Sequence, residues 1–479
     1  MTSPTGKVLA IGLDAGDQDF IRDHLADLPH IGRFFSDTIV HPLTAEPLSG
    51  SVWSSFVTCA KPGVHGVYHH MQWNPDRMRV QRTHPNWVGD ITPFWRDLAN
   101  SGKRITVLDV PFVFEGDSGG ALEIFNWGSH DLVGPFWSSD PSEVKHIKRH
   151  FGAHPMGFEV PVQKSVRKLA ADRDRMIEGA ALRARLVRDL MSRRPWDLFI
   201  VAFGETHRAG HLLHPTPGEE HMVPAGAFLE VYKAVDRAVG EILQQAGPGC
   251  DVVLFALHGM APNSSQSHLT RGMLDAAMRT APGGGADATA KTGLVRWLRQ
   301  TVPAKLQHMI ASAVPTAVRD FVVAREIAGG VSRGTTKAIS LDGDLSGYWR
   351  LMKTGRESIG VLTNGEAEAL TEELATAFST FTAPDGRPLV KKMHFPAAEL
   401  SGARARLLPD LVAEWDLDLA PQTEARHPEL ETVHGQLATG RGGNHRFNGF
   451  FAHIGPRQGR SPAPAHISEL GMLIEALAK

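Results

Sequence analysis

The sequence predicts an α/β protein with a central, mostly parallel β-sheet. Segments with helical spacing alternate with short apolar runs that are typical of strands buried on both faces. The predicted strands are Val8–Leu13, Arg104–Val110, Asp197–Phe203 and Asp251–Leu257. Three of them end on polar residues, namely Asp14, the His207/His211 pair and His258. Because parallel strands of an open sheet bind ligands at their carboxyl ends, we expect these residues to meet at one edge.

Composition is that of an ordinary globular chain. The 479 residues are 42% hydrophobic and 21% charged, with a net charge of −2. A net charge this small gives no overall electrostatic attraction to a nucleic acid polymer or an anionic membrane, so neither is expected as a partner. The two cysteines, Cys59 and Cys250, and an N-terminus without a signal-peptide pattern predict a cytoplasmic protein without disulfides. The apolar runs are too short to span a bilayer.

The predicted helices separate the strands. They are expected over Phe20–Phe35, after a turn at Ser49, and over Thr92–Leu98, Ser165–Met191, Ala227–Gln245 and Ser468–Leu477, with a loop at Pro62–Gly66.

The sequence pattern between residues 263 and 435 differs from that of the flanking segments. We expect this stretch to be a smaller α+β lobe inserted into a core of residues 1–262 and 436–479. A strand is predicted at Gly347–Met352 and a helix at Glu366–Phe381. Pro282–Ala290 resembles a flexible linker, and Thr292–Ala324 is helical with a basic face. The chain returns through a glycine-rich loop that begins at Gly440 and leads into an apolar strand.

Ser49 lies in a Pro-X-Ser-Gly turn before a helix-period run that contains Trp53, Phe56 and Val57. The N-terminus of a helix presents free backbone N–H groups to an anion, and a serine there is a nucleophile if a base or a metal deprotonates it. The alternative is that Ser49 is simply the N-cap of this helix.

His207 and His211 have i, i+4 spacing, which places two imidazoles on one helical face. Such a pair is often only a solvated surface pair. Here Asp14, His258 and His445 accompany it at strand ends and in the glycine-rich loop. Nitrogen-rich ligand sets favour zinc or another late first-row metal.

In this order the motifs resemble the alkaline phosphatase superfamily, most closely its type I phosphodiesterase and nucleotide pyrophosphatase branch. They are Asp14 after a strand, the Ser49 turn with its Pro-Gly-Val-His-Gly tail, Glu205-Thr-His-Arg-Ala-Gly-His211, His258-Gly-Met260 and Asn444-His445. The resemblance implies a two-metal site and a covalent intermediate on Ser49. It also implies that His207, His211 and His445 surround one metal, that Asp14 and His258 serve the other, and that Ser49 belongs to the metal site as the nucleophile.

The sequence departs from the family pattern in ways that remove negative charge. Leu257 precedes His258 where the branch usually has Asp, and His207 stands where it also usually has Asp. Val52 stands where an Asn was expected to bind a phosphate oxygen. We therefore predict one tightly bound metal, with the second weak, absent or rebuilt from Asn263 or His268.

Other polar residues allow two interpretations. Gly50, Arg350 and Arg356 are candidate substrate-binding residues, although the two arginines, with Lys353, are equally well explained as a solvated strand edge. His65, His69 and His70 are expected to cap or solvate a loop, and Cys59 to be a packed residue rather than a nucleophile.

Three functions are compatible with these residues. The first is a metal-dependent hydrolase of phosphate esters or phosphodiesters that acts on a small molecule through a covalent Ser49 intermediate. The second is a phospho- or sulfuryl transferase or mutase that uses the same intermediate. The third, motivated by Leu257, is a binding protein that has lost turnover.

Overall fold

A computed structural model gives the fold. It describes residues 6–129, 134–157, 164–215, 218, 220–280, 335–341, 343, 345–437 and 440–479. The main feature is an eight-stranded sheet in the order β2-β18-β9-β1-β8-β5-β6-β7. Its five inner strands, β9-β1-β8-β5-β6, are parallel, and the strands at both edges are antiparallel. The predicted fold class is confirmed.

The strands in the described residues have the following bounds: β1 Val8–Leu13, β2 His41–Leu43, β3 Met71–Asn74, β4 Arg79–Arg82, β5 Ile105–Leu108, β6 Leu122–Phe125, β7 Trp137–Ser138, β8 Leu198–Phe203, β9 Asp251–Ala256, β10 Gly259–Pro262, β11 Ala338–Leu341, β12 Ser346–Leu351, β13 Val390–His394, β14 Leu411–Trp415, β15 Glu424–Ala425, β16 Val433–His434, β17 Gly443–Arg446 and β18 Gly449–Ile454. The α-helices of the same residues are α1 Gln18–Asp23, α2 Pro29–Ser36, α3 Val52–Thr58, α4 Pro62–His65, α5 Phe94–Asn100, α6 Pro141–His150, α7 Val166–Arg193, α8 Gly204–Leu213, α9 Ala227–Ala246, α10 Thr270–Thr280, α11 Asn364–Thr380, α12 Pro396–Glu399 and α13 Ile467–Ala478.

Two local predictions are corrected. The pattern expected to form one helix over Phe20–Phe35 is divided into α1, a 3-10 turn at Leu25–Asp27 and α2. The break follows from Pro29, which has no N–H to continue a helix and instead occupies the first turn of α2. The loop expected at Pro62–Gly66 contains the short helix α4, which Pro62 begins and Gly66 ends in a left-handed conformation.

Alternating residues of β1 explain how the sheet is buried on both faces. Leu9, Ile11 and Leu13 pack into one hydrophobic cluster, together with α7 and α9. Val8 and Ala10 point to the other cluster, which contains residues of α3, α5 and α13. The sheet is therefore covered by helices on each side, and its polar chemistry is confined to the strand ends.

A second sheet lies between the core segments of the chain. It is antiparallel, with the order β11-β12-β14-β13, and residues of α10 and α11 pack against it in a separate hydrophobic cluster. Helix α11 begins with a capping box formed by Thr363 and Glu366. The predicted linker at Pro282–Ala290 and the predicted basic helix at Thr292–Ala324 lie outside the described residues. None of the helices in the described part of the chain combines the length and apolar character needed to cross a membrane.

Candidate metal centre

Four segments bring the predicted ligands together at the carboxyl edge of the parallel strands. Asp14 directly follows β1, and His207 and His211 lie on α8, which begins immediately after β8. His258 lies between β9 and β10, and His445 lies on β17. The edge at which the sequence predicted a ligand site is therefore the edge at which these residues meet.

Backbone pairing and close packing bring the segments into contact. Strands β10 and β17 pair so that Met260 is opposite His445, which places His445 next to the segment that carries His258. The Thr206 hydroxyl donates to the carbonyl oxygen of Asp14 at 2.6 Å, which ties α8 to the end of β1. Gly443 permits a close approach to α8, because a Cβ at that position would lie 2.4 Å from the Gly210 carbonyl oxygen.

The imidazoles form a compact cluster. The ring of His445 has its centroid 4.8 Å from that of His207, 4.8 Å from that of His211 and 4.5 Å from that of His258. One nitrogen of each of His207, His258 and His445 lies within 4.8 Å of the others. The Asp14 carboxylate lies 3.4 Å from His207 Nδ1 and 4.0 Å from His258 Nε2.

Two of these histidines carry buried ring nitrogens that have no hydrogen-bond partner among the described residues. They are His211 Nε2 and both nitrogens of His445. His211 Nδ1 lies 3.0 Å from the Gly443 carbonyl, which leaves Nε2 to act as a ligand atom. Burial, together with nearby imidazole and arginine groups, lowers the pKa of both His211 and His445 well below the ordinary value. Both rings are therefore neutral near pH 7, as metal ligation requires.

The donor set fits a divalent transition metal. It combines four imidazoles with one carboxylate in a buried site, where His211 Nε2 and both His445 nitrogens have no partner among the described residues. Imidazole-rich sets of this kind suit zinc and its neighbours better than magnesium or calcium, which prefer oxygen ligands.

Ser49 is buried, with 9% of its surface exposed, and its hydroxyl has no partner among the described residues. It begins a 3-10 turn that continues into α3. On α3 the indole N–H of Trp53 donates to Asp14 Oδ1 at 2.8 Å, so the helix that follows Ser49 is bonded directly to a residue of the cluster. From β12 of the second sheet, the Tyr348 hydroxyl accepts a hydrogen bond from the Ser49 backbone N–H at 3.2 Å.

The expected anion-binding turn is corrected by these contacts. The N–H of Ser49 is bonded to Tyr348, that of Gly50 donates to the Tyr68 carbonyl at 3.1 Å, and that of Ser51 donates to the Leu48 carbonyl at 2.8 Å. These three N–H groups are engaged within the protein rather than presented to a ligand. The predicted role of Gly50 in substrate binding therefore has no support from its N–H; the residue is a packing position.

Arg350 and Arg356 hold the second sheet together. Arg350 is completely buried, pairs with Glu357 at 2.7 Å and donates to the carbonyls of Leu408 and Arg406. Arg356 binds both Asp410 and Glu357. Their donors are engaged inside the lobe, so we assign both a structural role in place of the predicted substrate contact, and the solvated strand edge is excluded as well.

Both proposed replacement ligands, Asn263 and His268, have hydrogen-bond partners in neighbouring segments. The Asn263 amide donates to the Arg441 carbonyl at 3.1 Å and accepts from the Ser265 N–H at 3.0 Å. His268 Nε2 lies 2.6 Å from the Gln422 carbonyl. These contacts join the loop after β10 to neighbouring segments, so we do not retain either residue as a metal ligand.

A buried charge network beneath α8 was missed by the sequence analysis. Arg183 of α7 binds Asp109 at 2.6 Å and Glu205 at 3.2 Å, and His154 lies 2.9 Å from Glu205. Burial alone would raise the pKa of Glu205, but the Arg183 guanidinium lowers that pKa to about 2. Glu205 stands in the same motif as His207 and His211, and this proximity was the only available signal of its importance.

Comparison with known proteins identifies the family of the chain and structures of similar fold. The family model described as type I phosphodiesterase / nucleotide pyrophosphatase matches residues 8–354. No curated protein matches the chain. Among solved structures, phosphonoacetate hydrolase from Sinorhizobium meliloti 1021 in complex with phosphonoacetate is similar, with 13% identity, a TM-score of 0.51 and coverage of 99% of this chain and 96% of that chain. Murine ectonucleotide pyrophosphatase / phosphodiesterase 5 has 11% identity and a TM-score of 0.47, with coverage of 98% of this chain and 95% of that chain.

Proposed function

The chain belongs to the type I phosphodiesterase / nucleotide pyrophosphatase family of the alkaline phosphatase superfamily, and on this premise we propose that it is a metal-dependent hydrolase of small phosphate esters or phosphodiesters, with Ser49 as nucleophile. The observation that carries the proposal is the buried imidazole cluster with Asp14, to which Trp53 bonds the helix that follows Ser49, together with a buried Ser49 hydroxyl that has no partner among the described residues. The serine turn is bonded to the second sheet through Tyr348, and the helix that follows it is bonded to Asp14 through Trp53, so the hydroxyl is tied to both sides of the candidate site.

We propose that zinc occupies this centre as one tightly held ion, with its ligands drawn from Asp14, His207, His211, His258 and His445 and one coordination position left for substrate. The donor chemistry supports zinc, although another divalent transition metal satisfies the same set. Leu257 supports a single tight ion, because an apolar side chain buried in the core stands beside His258 where the family usually has a carboxylate. With Asp14 as the one carboxylate of this set, a second dication would meet little compensating charge.

A zinc ion in such a site lowers the pKa of a nearby hydroxyl and takes up negative charge on phosphoryl oxygens. In the proposed reaction, Ser49 Oγ attacks phosphorus and the leaving-group oxygen departs with the bonding electron pair. Water then attacks the phosphoserine, so that phosphate or a phosphomonoester is released and the serine hydroxyl is restored. Trp53 and Tyr348 orient the serine turn through bonds to Asp14 and to the Ser49 N–H.

We also propose that residues 263–435 form a cap over a catalytic core of residues 1–262 and 436–479. The contact from Tyr348 to the Ser49 turn supports this division, since a residue of the second sheet touches the proposed nucleophile segment. Substrate entry would then require the cap to move relative to the core.

The test is a screen of nitrophenyl phosphate, phosphodiester, phosphonate and sulfate esters against protein loaded with zinc. We expect hydrolysis of at least one phosphorus ester, and its loss in Ser49→Ala with metal content unchanged. Ser54→Ala is the matched control, because Ser54 is a buried serine of α3 whose hydroxyl also lacks a partner among the described residues. Full activity in Ser49→Ala would refute the covalent mechanism, and equal loss in both variants would point to damage of the helix.

Burial of the site favours one competing function. Ser49, His207 and His445 are exposed by only 9%, 5% and 7%, so access of water is restricted, and transfer to an acceptor hydroxyl is the second candidate. An added alcohol that captures the phosphoryl group in preference to water would establish transfer. Release of free phosphate or phosphomonoester regardless of added alcohol would establish hydrolysis.

A further inference from the structure

The proposed reaction places negative charge on the non-bridging oxygens of the phosphoryl group, and these oxygens need hydrogen-bond donors. The first turn of the Ser49 helix does not supply them through Ser49, Gly50 or Ser51, because their N–H groups are bonded to Tyr348, Tyr68 and Leu48. The arginines of the second sheet are engaged with carboxylates and carbonyls of their own lobe. A further donor close to Ser49 would complement the charge that the metal takes up.

His69 lies against the Ser49 turn. A Cβ placed on Gly50 would be 2.5 Å from His69 Cα and 2.9 Å from its backbone nitrogen, so the two segments are in direct backbone contact. The His69 carbonyl is held by the Thr83 hydroxyl at 2.6 Å. This residue was expected only to cap or solvate a loop, but it is 2% exposed.

The two ring nitrogens of His69 differ. Nδ1 lies 2.8 Å from the carbonyl oxygen of Met71 and 3.2 Å from its backbone nitrogen. When Nδ1 accepts from the Met71 N–H, the ring proton is on Nε2. Nε2 is buried and has no partner among the described residues. A buried polar atom without a hydrogen-bond partner lowers the stability of the fold, so its presence needs an explanation. A ligand that bonds to the atom when it binds is one such explanation.

We propose that His69, in the tautomer in which Nδ1 accepts from the Met71 N–H, donates from Nε2–H to a non-bridging oxygen of the phosphoryl group that Ser49 attacks. This inference rests on the proposed function. In an in-line displacement the non-bridging oxygens lie around phosphorus between the attacking and leaving oxygens, where a donor on a segment that contacts the serine turn can reach them. His69 and Ser49 thus contribute two buried, uncommitted polar atoms from segments in contact, and the phosphoryl group satisfies both.

The experiment compares His69→Leu, His69→Gln and the control His65→Gln. His65 is a buried histidine of the same segment, but its ring nitrogens are used within the protein, by the Ser55 hydroxyl at 3.1 Å and the Val67 N–H at 3.1 Å. For each variant we would measure kcat and KM with the best nitrophenyl ester, inhibition by vanadate, metal content and melting temperature. Vanadate is informative because it reproduces the five-coordinate arrangement around phosphorus.

Removal of one such donor is expected to lower kcat by roughly 100-fold and to weaken vanadate inhibition by a similar factor, with metal content unchanged. The Gln variant keeps a donor and should retain more of both properties than the Leu variant, whereas His65→Gln should leave vanadate inhibition unaltered. If the Leu variant does not fold, a loss of about tenfold in vanadate affinity for the folded Gln variant is the expected result.

Unchanged vanadate inhibition in the His69 variants, or an equal loss in His65→Gln, would overturn the inference. A wild-type protein that hydrolyses none of the esters would instead refute the proposed function. The two failures are therefore distinguishable.

Discussion

Replacement of Gly50 by alanine tests the contact between the Ser49 turn and the segment of His69. The added Cβ would lie 2.5 Å from His69 Cα, whereas ordinary contacts begin at 3.4 Å. The two segments must therefore separate by the difference, 0.9 Å, if the backbone takes up the whole strain. The neighbouring atoms are backbone atoms, so no side chain can rotate away to relieve it.

A displacement of this size has two expected effects. Overpacking of a buried contact costs about 1–3 kcal/mol of folding free energy. A misplacement of about 1 Å between reacting groups lowers the rate roughly 100-fold. Gly50→Ala should therefore lose much more of kcat/KM for the nitrophenyl ester than its lowered melting temperature alone explains, while metal content is kept.

The control is Gly365→Ala. Gly365 is near the start of α11, and an added Cβ there meets nothing within 4 Å. Alanine favours a helix over glycine by up to about 1 kcal/mol, so this variant should be as stable as the wild type or more so, with full activity. A Gly50→Ala protein with activity within about threefold of wild type would refute the argument that these two segments set the geometry of the reaction.

Three further predictions concern the surroundings of the site. Tyr348→Phe leaves the Ser49 N–H without its acceptor, which should reduce the free energy of unfolding by about 1–3 kcal/mol. It should also reduce kcat by a larger factor than it changes KM. Glu205→Gln should weaken zinc affinity, measured by calorimetry, about 10–100-fold, because it loosens the helix that carries two ligands. The control Glu123→Gln, at another buried ion pair, should leave zinc affinity unchanged. Equal effects in the two variants would refute a specific role for Glu205. Burial would raise the pKa of Asp410, but its basic partners lower it to about 2. The ionised carboxylate therefore stabilises the fold fully above the ordinary pKa of 3.8, and this stabilisation is lost as the pH falls towards 2. The melting temperatures of wild type and Asp410→Asn should converge at acid pH, and a difference that stays constant with pH would contradict this.

The sequence predicted the fold because the strands of the parallel sheet are continuous apolar runs. Val8–Leu13 is buried at every position, and its polar neighbour Asp14 marks the strand end. Within the helical pattern that follows, spacing alone does not show that Pro29 begins a new helix. Apolar periodicity reports burial, but local backbone chemistry decides where a helix begins and ends.

The candidate site could be predicted only in part, because spacing shows residue types but not the use of their hydrogen bonds. Asp14 and the four histidines do lie in one cluster, and their roles as ligands stay a prediction. Arg350 was equally compatible with substrate binding and with a solvated strand edge, and its internal ion pair with Glu357 was not anticipated. His69 was indistinguishable from a loop histidine, since its importance depends on a contact with Gly50, 19 positions away along the chain.

The central claim is that Asp14 and the imidazoles around His445 hold one cation beside the Ser49 hydroxyl. Metal analysis of protein purified without chelators tests it most directly, with His445→Ala compared with His394→Ala, a histidine of the second sheet that pairs with Glu414. We predict about one tightly held equivalent of zinc per chain in the wild type and in His394→Ala, and its loss in His445→Ala. Wild-type protein without bound metal, or a His445→Ala protein that keeps the full equivalent, would contradict the account, and two tightly held equivalents would contradict its single-ion form.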